Sequence, residues 1–352
     1  MNIQQRQQHR FLSRSILITA ILLFLANTAW GETAKREASL EISPDTTVDP
    51  VNISGVAVRG DFLILGSDEG AAIQVLKRNG LKAYLSDATQ VIVLDNSGDE
   101  VDIEGIAAGE KYVYVVGSHS RKRKKVKKSK SSKKNHERLA TTKSEPSREQ
   151  LFQLQLDADG KLVKDSIKKL TLRDIFADHP VLALFQPIPS KENGIDIEGI
   201  AVNEKNNEIY IGFRGPVLRG NFTPVMVLTL DDGQFEQTTL KHELRYVNLG
   251  GRGIRGMTRI EDSFLILGGP VGDEPTPYHL FSWDGKDMVP GKDRPKASEH
   301  IKLLCEIPLP NSTAKAEGVE FLEQKESKVY FLVVYDGEKN GGGTAFSCPL
   351  QS

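Results

Sequence analysis

The chain has 352 residues, 39% of them apolar and 7% aromatic, with 31 glycines and a formal net charge of −1. That length can bury a sizeable core, in one large domain or two ordinary ones, and abundant glycine with little helical periodicity points to a turn-rich β protein. The near-zero total hides a segregation: residues 121–148 carry thirteen Lys/Arg against Glu137 and Glu145, the first 31 residues carry three Arg, and the remainder stands at −15.

Residues 1–31 have the parts of a secretory signal: Arg6, Arg10 and Arg14, the apolar run SILITAILLFLANTAW, and a small-residue exit. Ala29 and Gly31 place cleavage before Glu32, so the body is expected to be exported, periplasmic or secreted, with no membrane span in the mature chain. The run is short for a span. An uncleaved N-terminal anchor is the rival reading, and the body is exported under either. Export implies an oxidising compartment, where the two cysteines, Cys305 and Cys348, are expected to bond; two buried thiols are the alternative. Such a bond contributes about 4 kcal/mol through the unfolded chain.

Five repeats follow, each marked by a residue and a glycine that open a short apolar strand. They are ISGVAV (53–58), IEGIAA (103–108), IEGIAV (197–202), IRGMTR (254–259) and AEGVEF (316–321). A second strand comes next in each (DFLILGS, YVYVVGS, IYIGF, FLILGG, VYFLVVY), then a third and usually a fourth. Short strands between Gly, Asp and Asn turns predict four-stranded blades. The expected fold is an all-β propeller over residues 32–352, with five blades, or six if a diverged one lies between Gly105 and Gly199. The last repeat reaches the C terminus after its third strand, while ASLEIS (38–43) has no partner of its own. Backbone pairing is satisfied if that segment completes the last blade and closes the ring. The helical stretch LRDIFADHPVLALF reads as a loop decoration.

The segment 121–148 is low in complexity, self-repelling and nearly free of apolar residues, which predicts disorder. It interrupts the second repeat between its second and third strands, where a hairpin loop tolerates insertion. Its charge suits a polyanion or an anionic membrane surface, or it folds back on the acidic body. Without interleaved aromatics, base stacking and sequence-specific nucleic-acid binding are not expected.

The residue before each marked glycine falls at one equivalent place: Ser54, Glu104, Glu198, Arg255 and Glu317. If these strands are innermost, the five side chains ring one mouth of a central channel. Asn52, Asp102 and Asp196 lie two residues earlier and share that face. Carboxylates so close raise one another's pKa unless a cation neutralises them. Three readings stand open. Each glutamate bonds a neighbouring blade while glycine permits a tight turn; Asp102, Glu104, Asp196, Glu198 and Glu317 hold Ca²⁺; or Arg255 pairs with one or two of them. The loop FRGPVLRG adds Arg214 and Arg219, which with Arg255 suit a phosphate or carboxylate, or serve as salt-bridge partners for Asp196 and Glu198. GRGIRG (251–256) is followed by a strand rather than a helix, so a dinucleotide loop is not supported, and neither is a serine hydrolase or zinc enzyme.

At DIEGIAV, IYIGFRGPVLRG and GIRGMTRIEDSFLILGGP the chain resembles a bacterial family of exported proteins, domain of unknown function 3616, over most of residues 50–340. The resemblance implies a β-propeller and no assigned activity. The D-x-E-G-[IL]-A pattern is more distantly similar to phytase-like esterase propellers. The Glu-Gly mark is similar to gluconolactonase-type propellers, in which such a glutamate ligates a divalent cation. That similarity implies Glu104, Glu198 or Glu317 as ligand; Ser54, Arg255 and the lysine-rich insert depart from the pattern.

Two functions are therefore expected. One is an exported binding protein that takes a small anionic ligand or a protein at the channel mouth. The other is a Ca²⁺-dependent hydrolase of a phosphoester or lactone. There Asp102, Glu104, Asp196 and Glu198 hold the ion, Arg214 and Arg219 grip the anionic group, and one carboxylate acts as base toward a metal-bound water.

Overall fold

A computed structural model describes residues 31–350, so the expected signal segment lies outside the described residues except for Gly31. Five sheets form the blades of a propeller, antiparallel except where two short N-terminal strands join in parallel, and the insertion adds a two-stranded sheet of its own. The blades' innermost strands are Ile53–Arg59, Ile103–Ala108, Asp196–Asn203, Gly253–Ile260 and Lys315–Lys325. The long gap between Gly105 and Gly199 holds the rest of blade two, the basic insertion and short helices rather than a sixth blade.

Strand composition follows position in the blade. Second strands such as Glu208–Gly215 are buried on both faces between neighbouring blades, which is why IYIGF is apolar throughout rather than alternating. The outer strand Lys241–Asn248, KHELRYVN, is exposed at its start and half-buried over most of the rest, and its charges blunt the sheet edge. Apolar side chains from adjacent blades fill the wedges between them. One wedge packs Val116 and Leu151 of blade two against Ile209, Phe213 and Met226 of blade three.

The repeated glycine is explained by this ring. A Cβ on Gly55 would stand 2.9 Å from Ile106 Cγ1, one on Gly105 2.9 Å from Ile200 Cγ2, and one on Gly199 2.7 Å from Ile254 Cγ2. On Gly256 it would stand 3.0 Å from the Val319 backbone nitrogen, and on Gly318 2.9 Å from Val56 Cγ1. Each marked glycine thus admits the next blade's innermost strand, and the sequence of contacts returns from blade five to blade one. Close approach, not the tight turn expected, is what requires glycine here. Val56, Ile106, Ile200, Met257 and Val319 then fill the axis, leaving about 10 Å³, room for at most one water. The two mouths of the channel are separate.

Ring closure takes the expected form with a different register. Lys35–Ser39, rather than 38–43, pairs antiparallel with Thr344–Pro349 as the outer strand of blade five. Glu32–Thr33 runs parallel to Ile301–Ile307 of blade four, and Glu41–Ser43 runs parallel to Ala83–Leu85 of blade one. One short N-terminal strap therefore joins three blades. Cys305 and Cys348 form the expected disulfide, with Cα atoms 6.1 Å apart, tying blade four's outer strand to blade five.

The insertion, residues 121–148, corrects the expectation of disorder. Arg121–Arg123 pairs with Thr142–Ser144, and a helix over Ser132–Leu139 is capped by Ser131 Oγ. Acidic groups of the body offset its self-repulsion: Arg123 Nη2 meets Glu192 Oε2 at 2.8 Å, and Arg148 is buried among carboxylates. The stretch 172–185 supplies the helix Arg173–Asp178 and a 3₁₀ turn at Leu182–Leu184 beside blade three, as expected for a decoration. Among the described residues no helix is long and apolar enough to cross a membrane.

Candidate functional site at the acidic channel mouth

The ring residues converge as the repeat predicts. Ser54, Glu104, Glu198 and Glu317 line the narrow axial space, and Arg255 joins Glu104, Glu198 and Glu317 in the wider cavity, of about 480 Å³, above it. Ser54 Oγ donates to the Ile103 carbonyl and is spent on linking blades one and two.

Three arginines neutralise most of the carboxylates. Arg255 Nη1 lies 2.7 Å from Glu198 Oε2, and its Nη2 contacts Glu317. Arg214 Nη1 lies 2.7 Å from Glu198 Oε1, and its Nη2 contacts Asp196. Arg148, delivered by the insertion, places Nη1 2.5 Å from Asp102 Oδ2, contacts Glu100, and sets Nε 2.8 Å from Glu145 Oε2. Burial pushes Glu198 and Asp196 upward, and the guanidinium groups beside them oppose that shift. Each partner keeps the other charged in a site that would expel either alone.

Glu104 differs. No hydrogen bond or ion pair to it exists among the described residues. Burial, followed by repulsion from Glu198, Asp102, Glu317 and Asp196, holds its carboxyl well above the usual range. Asp68 shares its isolation: Oδ1 is buried without a partner, and burial, then Glu317 and Asp102, push its pKa to about 7. At neutral pH this corner presents carboxyl groups that carry a proton for much of the time, able to donate a hydrogen bond or to ionise beside a cation.

The calcium reading does not fit this donor set. Of Asp102, Glu104, Asp196, Glu198 and Glu317, all but Glu104 are already bound to guanidinium groups. Among the described residues no three His, Cys, Asp or Glu side chains are grouped as metal ligands are. Of the expected anion-binding trio, Arg214 and Arg255 line the cavity and Arg219 does not. Arg214 and Arg255 are committed to carboxylates, and Arg219 sits exposed on the turn after the strand.

Several cavity residues escaped the sequence reading. Asp68, Pro270 and Asp336 all line the mouth, and each directly follows or ends the second strand of its blade. That shared position was a readable signal. Arg148, Lys122, Lys124 and Lys125 had none, because the charge run hides which of its cations turn inward.

Comparison with known proteins gives a family. The family model described as "Protein of unknown function (DUF3616)" matches residues 52–342. No curated protein sequence matches the chain. Among solved structures, an exo-β-1,3-galactanase from Phanerochaete chrysosporium is similar at a TM-score of 0.46 and 9% identity, over 90% of this chain and 64% of that one. A glutaminyl cyclase from Myxococcus xanthus is similar at 0.44 and 9%, over 91% and 98%. A DUF4623 protein from Bacteroides eggerthii is similar at 0.40 and 11%, over 86% and 72%.

Proposed function

The chain belongs to the DUF3616 family, whose description assigns no activity, and from that premise we propose that its acidic mouth is a binding site for a small ligand bearing an ammonium group, either a protonated amine or a quaternary ammonium. One observation carries this reading. Glu104 and Asp68 are inward-facing carboxyls without a cation, in a cavity where arginines neutralise the other buried carboxylates. A ligand ammonium supplies the missing charge, displaces the proton, and gains from the low dielectric of the site. In this reading the groups lining the cavity position and bind the ligand.

The test is thermal stabilisation by the protonated amines agmatine and cadaverine and the quaternary ammonium choline, measured at pH 6 and pH 8. Stabilisation is expected to be larger at pH 8, because the amine takes the ionised carboxyl, and to be lost in Glu104→Gln. An equal response from Glu104→Gln would sink the proposal.

A second surface has its own observation. Lys127, Lys128, Lys130 and Lys133 on the outer side of the insertion are exposed and have no carboxylate partner among the described residues. They suit a polyanion held by charge alone, and neutralising all four should shorten retention on heparin.

A further inference from the structure

We infer that the ligand of the mouth is a zwitterion, its ammonium end seated at Asp68, Glu69 and Glu104 and its anionic end at Lys124 and Lys125. This rests on the reading of the mouth as an amine site and names the other half of the molecule. The argument comes from matching the charges around the cavity with their partners. Ten carboxylates and eight cations line it. Beyond the arginine network, Lys191 Nζ holds Asp273 at 2.5 Å, Lys315 holds Asp336, Arg123 holds Glu192, and Lys122 lies 3.6 Å from Asp102. After these pairs, three acids and two lysines remain without partners among the described residues.

The two remainders are segregated. The acids come from blades one and two, at the ends of the strands Phe62–Ser67 and Ile103–Ala108. Both lysines come from the insertion, just beyond Arg121–Arg123. Their backbone is held in place: Lys124 N donates to the Thr141 carbonyl at 3.1 Å, and Arg138 Nε donates to the Lys125 carbonyl at 2.6 Å. An amine alone leaves two ammonium groups facing the cavity unanswered, and an anion alone meets three carboxyls. A molecule with both charges complements both ends at once. Amino acids and phosphocholine have this chemistry, and a volume of about 480 Å³ accommodates either.

Matched probe pairs separate the two ideas: arginine with agmatine, lysine with cadaverine, and phosphocholine with choline, titrated calorimetrically into the full chain. The zwitterion of at least one pair is expected to bind tenfold or more tightly than its amine. The double variant K124Q/K125Q should bring it down to the affinity of that amine, and Glu104→Gln should weaken both members. Equal affinities within every pair that binds would overturn the zwitterion while leaving the amine site standing. Absence of binding by all six probes would remove the amine reading with it. Unchanged melting temperatures for K124Q/K125Q serve as the control for folding, since neither lysine side chain has an ion-pair partner among the described residues.

Discussion

Blades two and three carry the same mark, Asp102–Gly105 and Asp196–Gly199, yet they neutralise it differently. Blade three draws Arg214 from its own second strand and Arg255 from the next blade, so Asp196 and Glu198 are both paired. Blade two has Ser118 and His119 where blade three has Arg214, and it borrows Arg148 from the insertion for Asp102. Glu104 is left without a cation. The difference separates scaffold from site: the same four residues stabilise the ring where their charges are answered and offer a binding position where they are not.

The strongest way to break the comparison is to remove the cation shared between blades. Arg255→Met leaves Glu198 and Glu317 buried with less compensation, and is expected to cost about 3–5 kcal/mol in urea denaturation. Arg148→Met should cost less, about 2–3 kcal/mol, because Lys122 stays near Asp102 and Glu100 is partly exposed. A loss below about 0.5 kcal/mol would mean the insertion only rests on the mouth.

Two matched substitutions sharpen the contrast further. Glu198→Gln should destabilise by about 2 kcal/mol through loss of two charged partners. Glu104→Gln should change stability by less than about 0.5 kcal/mol, or raise it, since it removes an unanswered acid. Equal losses would contradict the assignment of different roles. The smallest effect concerns pH. The Asp68 pKa is raised in the fold to about 7, so its folded form holds a proton that the unfolded chain releases from about pH 4 upward. Its favourable contribution is complete below that range and is lost as pH rises toward 7. Relative to Asp68→Asn, the wild-type melting temperature should fall across that interval and match it at the acidic end.

Much of this architecture was legible because it repeats. Ring geometry demands a glycine wherever the next strand presses in, so Gly55, Gly105, Gly199, Gly256 and Gly318 announced five blades and the convergence of their preceding residues. Pairing was not legible to the same degree. Whether Glu198 meets a metal or Arg214 depends on rotamers and on a neighbouring blade, and local sequence encodes neither. The insertion misled for a related reason: its composition predicts disorder, while order comes from acids far away in the chain, such as Glu100 and Glu192. Register failed by three residues at the strap, where Leu40 packs beneath Gly343 and the chain passes from blade five to blade one.

That strap has a consequence for how the molecule comes into being. The pairing of Lys35–Ser39 with Thr344–Pro349 unites almost the first described residues with almost the last. A chain whose last strand is not yet synthesised cannot make it. Until the final strand is free, Lys35–Ser39 lacks the strand it pairs with, and the clasp between the two ends of the ring closes late in folding.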